Sequence, residues 1–177
     1  MQILESGMLF GDFSDDDCFW IEKSKIYDVS LKHLGFKSVE FVLHRYDNSE
    51  NSTNRNELLF VEAKTTLHPS VAGREFSAEI SDISQKFIDA LQIVCAAWHG
   101  GRKDKIKLPM NFKRYFESGK KIVFMLVLKN EPTIGLSIIG DAISKQLLKE
   151  NRLWKFDVIV LSEEFAIIEN LVLANNH

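Results

Sequence analysis

Glu62 and Lys64 stand two residues apart at the end of the apolar run Leu58-Leu59-Phe60-Val61-Glu62-Ala63-Lys64. Side chains alternate faces along a strand, so this spacing predicts a carboxylate and an ammonium projecting from one side while Val61 and Ala63 pack behind. A carboxylate is a ligand for a hard divalent cation, and a neighbouring ammonium can orient water or offset charge on an attacked phosphate. The pair points to metal-dependent hydrolysis. An edge-strand Glu and Lys facing solvent would give the same short pattern, so its surroundings matter.

A second acid comes from Lys37-Ser38-Val39-Glu40-Phe41-Val42-Leu43-His44, which alternates with Glu40, Val42 and His44 on one face and Val39, Phe41 and Leu43 on the other. The segment from Arg45 to Asn56 is polar, rich in Asn and Ser, and reads as the loop of a long hairpin joining the two runs. If the register sets Glu40 near Glu62, two carboxylates and a lysine converge on one patch of the sheet. Like charges held that close are costly unless a cation lies between them.

An acid on one strand and Glu-x-Lys on the next, followed by a helix, resembles the PD-(D/E)XK nuclease superfamily over roughly residues 20–165. The resemblance implies Glu40, Glu62 and Lys64 as catalytic residues. It implies Glu40, Glu62 and the Ala63 backbone carbonyl as ligands of Mg²⁺ or Mn²⁺, and 5′-phosphate products. The matching position in the superfamily is usually Asp, so Glu40, with one more methylene, is a departure. In many members a helix before the core strands adds one acid, for which Glu22 is the candidate with Asp28 behind it. Members often send a polar residue from the helix after Glu-x-Lys toward the site, which here names Gln85 or Lys86. Plainer roles exist for these residues: an acid in a first helical turn favours the helix electrostatically, and Gln85 or Lys86 could lie on a solvated surface.

The elements that must position these groups follow from periodicity. Phe76, Ile80, Ile83, Phe87, Leu91, Val94 and Trp98 recur every three or four residues, so Arg74 to Trp98 is a predicted amphipathic helix closed by Gly100-Gly101. Ile122 to Leu128 is a continuous apolar run bounded by lysines, as expected of a central strand buried on both faces. A helical pattern over Leu136 to Leu148 and a strand over Phe156 to Leu161 complete a crossover unit with parallel pairing. Ser162 then caps a short C-terminal helix, and an earlier helix over the Ile26–Leu34 region ends at Gly35. The expected fold is α/β, a mixed central β-sheet flanked by helices, restriction-endonuclease-like by resemblance, with residues 1–177 in one domain.

Charge is unevenly spread. Residues 1–30 carry seven acids against two lysines, whereas residues 102–121 carry eight basic residues against two acids. Arg102, Lys103, Lys105, Lys107, Lys113 and Arg114 could neutralise phosphates, and Phe112, Tyr115 and Phe116 among them could stack on bases. A solvated loop and short helix between two core elements would look the same. With a formal net charge of -3, any nucleic-acid contact is local or shared with a partner protein.

A chain of 177 residues, 45% hydrophobic, has ample material for a core. No basic leader precedes an apolar run and no stretch approaches the roughly 18 residues of a membrane span, so a cytoplasmic location without membrane contact is expected. Cys18, Cys95 and the five scattered histidines make no zinc-type spacing. Phosphate loops and G-x-S-x-G are likewise missing.

The expected activity is a divalent-metal-dependent nuclease acting on DNA in preference to RNA, alone, as a homodimer or in a larger complex. Restriction, defence or repair are the roles that analogy suggests. The alternatives are a catalytically silent relative serving as a binding or scaffolding subunit, and an unrelated α/β enzyme or binding protein.

Overall fold

The computed structural model describes residues 1–25, 27–47, 55–67, 73–100, 107–118, 121–131 and 133–174. Its strands are Ile3–Glu5 (β1), Met8–Phe10 (β2), Cys18–Phe19 (β3), Phe41–Asp47 (β4), Arg55–Lys64 (β5), Lys121–Leu128 (β6) and Phe156–Ser162 (β7). Its α-helices are Arg74–Trp98 (α1), Phe112–Ser118 (α2), Thr133–Gln146 (α3), Leu148–Trp154 (α4) and Glu163–Ile168 (α5).

The fold is α/β with a mixed five-stranded sheet in the order β3-β4-β5-β6-β7. β3, β4 and β5 pair antiparallel, while β5, β6 and β7 run parallel. The parallel pairs require crossovers, which α1 and α3 supply. Both helices bury their stripes against one face of the sheet, on Val42, Leu58, Phe60, Phe124, Leu126 and Leu128. Phe124 anchors this layer: it stacks on Phe87 at 4.8 Å and meets Phe60 edge-on at 5.5 Å. The alternate residues Phe41, Leu43, Leu59, Val61, Ala63, Val123 and Val127 pack on the opposite face with Ile3, Met8 and Phe10 of the β1–β2 hairpin and Ala166 of α5. Each fully buried aromatic or aliphatic side chain contributes about 1.5–3 kcal/mol, so a β5 covered on both sides is well fixed in depth and register.

The long helix, the apolar strand β6, the crossover and the Ser162 cap agree with the periodicities; the Ser162 hydroxyl accepts the Phe165 N–H at 3.4 Å. β4 and β5 run further into the polar segment than expected, reaching Asp47 and Arg55. The expected helix ending at Gly35 is instead a π turn, Tyr27–Leu31, followed by a 3₁₀ turn, Lys32–Leu34; Gly35 does close it, at φ 84°. The β1–β2 hairpin, β3 and α4 are additional elements. Both cysteines are free thiols. No described helix is long and apolar enough to cross a membrane.

Candidate carboxylate and lysine site

The site forms where β5 ends and β4 begins. Phe41 pairs with Val61 and the Glu40 N–H donates to the Val61 carbonyl at 3.0 Å, so one step along this register Glu40 stands opposite Glu62. Glu40 precedes the first residue of β4 but keeps its alignment. The backbone leading to it is fixed by Asp89 on α1, whose carboxylate accepts the Lys37 N–H at 2.9 Å.

Glu62 is 1% exposed. One turn of α1 brings Lys86 over it, and the Lys86 ammonium donates to Glu62 Oε1 at 2.6 Å. The other oxygen, Oε2, is buried and has no hydrogen-bond partner among the described residues. Burial raises the Glu62 pKa to about 7 against the opposing pull of Lys86 and Lys64. For Lys86, burial acts downward, but the Glu62 charge and hydrogen bond outweigh it and the ammonium is held above its ordinary range. Lys64 is half-buried on the same face of β5, near enough for its charge to act on Glu62.

Three further carboxylates close the patch. Among the described residues, Glu5, Glu22 and Glu40 bring carboxylate oxygens within 4.8 Å of one another. Glu62 is outside that set yet is the strongest charged neighbour of Glu40, whose pKa is pushed up to about 8 by burial first, then by Glu62, Glu22 and Glu5. Burial, with Glu22 next, also raises Glu5. A buried group of acids of this kind is stable either with protons retained or with a cation shared among them. All-oxygen donors suit a hard divalent ion of the Mg²⁺ or Mn²⁺ kind, and the orphaned Glu62 Oε2 is a buried acceptor that a cation would satisfy.

Glu5 arrives from the hairpin turn Glu5-Ser6-Gly7-Met8. Ser6 and Gly7 have φ 50° and 74°, the left-handed pair that a two-residue hairpin turn requires. The Ser6 hydroxyl donates to the Ala63 carbonyl at 3.0 Å, and the Lys129 ammonium donates to the Gly7 carbonyl at 2.7 Å. The Ala63 carbonyl thus has one lone pair engaged and a second left for another partner.

The sequence-derived residues Glu22, Glu40, Glu62, Lys64 and Lys86 therefore come together. Glu22 reaches the group from the turn after β3, not from a helix. Gln85 is turned away: its amide donates to Asp89 Oδ1 at 2.7 Å. Of the basic stretch, Arg102, Lys103 and Lys105 lie outside the described residues. Lys107 is exposed, Lys113 pairs with Glu117 at 3.7 Å, and the Arg114 guanidinium covers the Tyr46 ring at 4.8 Å. The expected base-stacking aromatics are core instead. Phe112 and Tyr115 are buried and Phe116 stacks on Trp98 at 4.6 Å, because α2 lies with its apolar side on the helical layer.

Two residues of the site went unread in the sequence. Glu5 was legible in principle, since Ser-Gly between Ile3-Leu4-Glu5 and Met8-Leu9-Phe10 is a hairpin signal. Asp89 had none: an acid among stripe residues reads as a surface position. Comparison with protein families, curated proteins and solved structures finds no match for this chain.

Proposed function

We propose that this protein is a divalent-metal-dependent nuclease of the PD-(D/E)XK type, hydrolysing phosphodiester bonds of DNA. The observation that carries the reading is the buried Glu62, with one oxygen on Lys86 and one orphaned, opposite Glu40 and the Glu5–Glu22 carboxylates. Glu40, Glu22, Glu5 and Glu62 would hold the cation, and the second lone pair of Ala63 O is a further donor. A bound Mg²⁺ or Mn²⁺ neutralises these acids, polarises the phosphate and lowers the pKa of water. Lys64, whose charge acts on Glu62, would offset charge developing on the attacked phosphate and orient the incoming water. Lys86 favours the ionised form of Glu62 against its burial and aims the carboxylate. The oxygen of water bonds to phosphorus as the P–O3′ bond breaks, leaving a 5′-phosphate and a 3′-hydroxyl.

A catalytically silent binding subunit is the second reading. It is favoured by one feature, the Ser6 hydroxyl on the Ala63 carbonyl, which already occupies part of that donor. Calorimetric Mn²⁺ titration of the wild type and Glu62→Gln, followed by incubation of both with single- and double-stranded DNA, separates the readings. Metal binding and cleavage that vanish together in the variant support the nuclease. Metal binding without cleavage supports the silent subunit, and absence of both metal binding and cleavage counts against the nuclease and favours the silent subunit.

A further inference from the structure

Beside Glu22 the outermost strand of the sheet, β3, borders a cleft of 720 Å³, within the range of ligand-binding cavities. Phe19 and Trp20 line it together with the lysines 23, 25 and 107, all three exposed. Lys23 and Lys25 also line the adjoining 350 Å³ hollow that contains Glu22, so the cleft and the carboxylate group are joined through these two side chains. The Lys23 ammonium lies 5.5 Å from the Trp20 ring centre, and Met110 offers an apolar surface that is 73% exposed. The Trp20 indole N–H is buried with no acceptor among the described residues, so a small ring rotation toward a ligand carbonyl gives up no hydrogen bond to them. Two acids, Asp15 and Asp16, also line the cleft, against the three lysines.

We infer that this cleft takes an unpaired base of single-stranded DNA, with the adjacent phosphate passing Lys23 toward Glu22. The inference rests on the nuclease reading for the fate of that phosphate, but the cleft is a binding site whether or not the strand is cut. Aromatic faces bind bases only when these are splayed from a stack, and lysines track the backbone beside them. A duplex hides its base faces and is held by its phosphates, a mode for which a chain of net charge -3 is poorly suited.

The test is fluorescence anisotropy with labelled oligothymidine and with a blunt DNA duplex of equal length, in Ca²⁺. The wild type is expected to bind the single strand about ten-fold more tightly than the duplex. Trp20→Ala should lose roughly ten-fold, the value of one stacked base, and Trp20→Phe should retain binding. The double charge reversal Lys23→Glu with Lys107→Glu, at exposed positions that spare the core, should lose at least as much. Equal affinity for duplex and single strand, or single-strand binding indifferent to the charge reversal, overturns the inference. Binding that follows the cleft residues with no cut in Mn²⁺ upholds the cleft and removes the nuclease reading. Cleavage of both substrates at equal rates, indifferent to these variants, does the reverse.

Discussion

Lys86 and Glu62, 24 residues apart in sequence, form a 2.6 Å ion pair in which the carboxylate is 1% exposed and the ammonium remains partly accessible. The pair leaves Glu62 Oε2 buried and unpartnered among the described residues, so the strand's most buried acid is held in place without being fully satisfied by them. A carboxylate in that state is poised to accept a further cation.

Replacing Glu62 with Gln removes the charge while keeping the shape. Mn²⁺ affinity measured by calorimetry should drop ten-fold or more, and an unchanged affinity would remove Glu62 from the ligand set.

The two lysines should separate chemistry from folding. Lys64→Ala is expected to abolish cleavage while changing stability by no more than about 0.5 kcal/mol, the range of a substitution outside the core. Lys86→Met leaves Glu62 without its partner and should cost about 1–3 kcal/mol at pH 8, less than a wholly buried pair because Lys86 is partly exposed. The cost should shrink in acid, where Glu62 is protonated. Denaturant melts at two pH values check this, and a pH-independent cost would mean that Lys86 acts by packing alone.

Metal binding should release protons. With the Glu40 pKa near 8, the metal-free protein retains a proton there at pH 7 that a cation must displace. Mn²⁺ titrations in two buffers of different ionisation enthalpy should give different apparent heats, and identical heats would count against Glu40 as a ligand.

Glu40 also ties stability to pH with a definite sign. Its folded pKa, about 8, lies above the ordinary 4.5, so between these values the folded chain binds the extra proton. Its contribution is fully present below about pH 4.5 and is lost as pH rises through about 8, with a size on the order of a few kcal/mol. The metal-free Tm should fall over that window more steeply in the wild type than in Glu40→Gln, and Mn²⁺ should restore it at the alkaline end. Parallel pH profiles for the two proteins would contradict the assignment.

Gly7 tests the hairpin's part in the site. Its φ of 74° disfavours any side chain, and a Cβ there would meet Lys129 Nζ at 2.6 Å. Gly7→Ala should cost about 1 kcal/mol or more and weaken Mn²⁺ binding by displacing Glu5. Wild-type affinity in a measurably destabilised variant would show that Glu5 is dispensable.

Local periodicity determined much of this molecule from sequence alone. Alternation put Glu62 and Lys64 on one face of β5, a three-four repeat defined α1 from Arg74 to Trp98, and the apolar run 122–128 marked an interior strand. These patterns record burial, which the order of residues within one element already contains. What alternation leaves open is the neighbour across the gap. The pairing of Glu40 with Glu62 is decided by the register of β4 on β5, and Lys86 in place of Gln85 by the rotation at which α1 seats on Phe60 and Phe124. Glu5 enters because the hairpin packs on the opposite face and its turn reaches the end of β5, Ser6 meeting Ala63 across 57 residues of chain. Phe112, Tyr115 and Phe116 went to the core for the same reason: whether an aromatic residue among lysines faces solvent depends on what its helix lies against, and tertiary packing alone sets that.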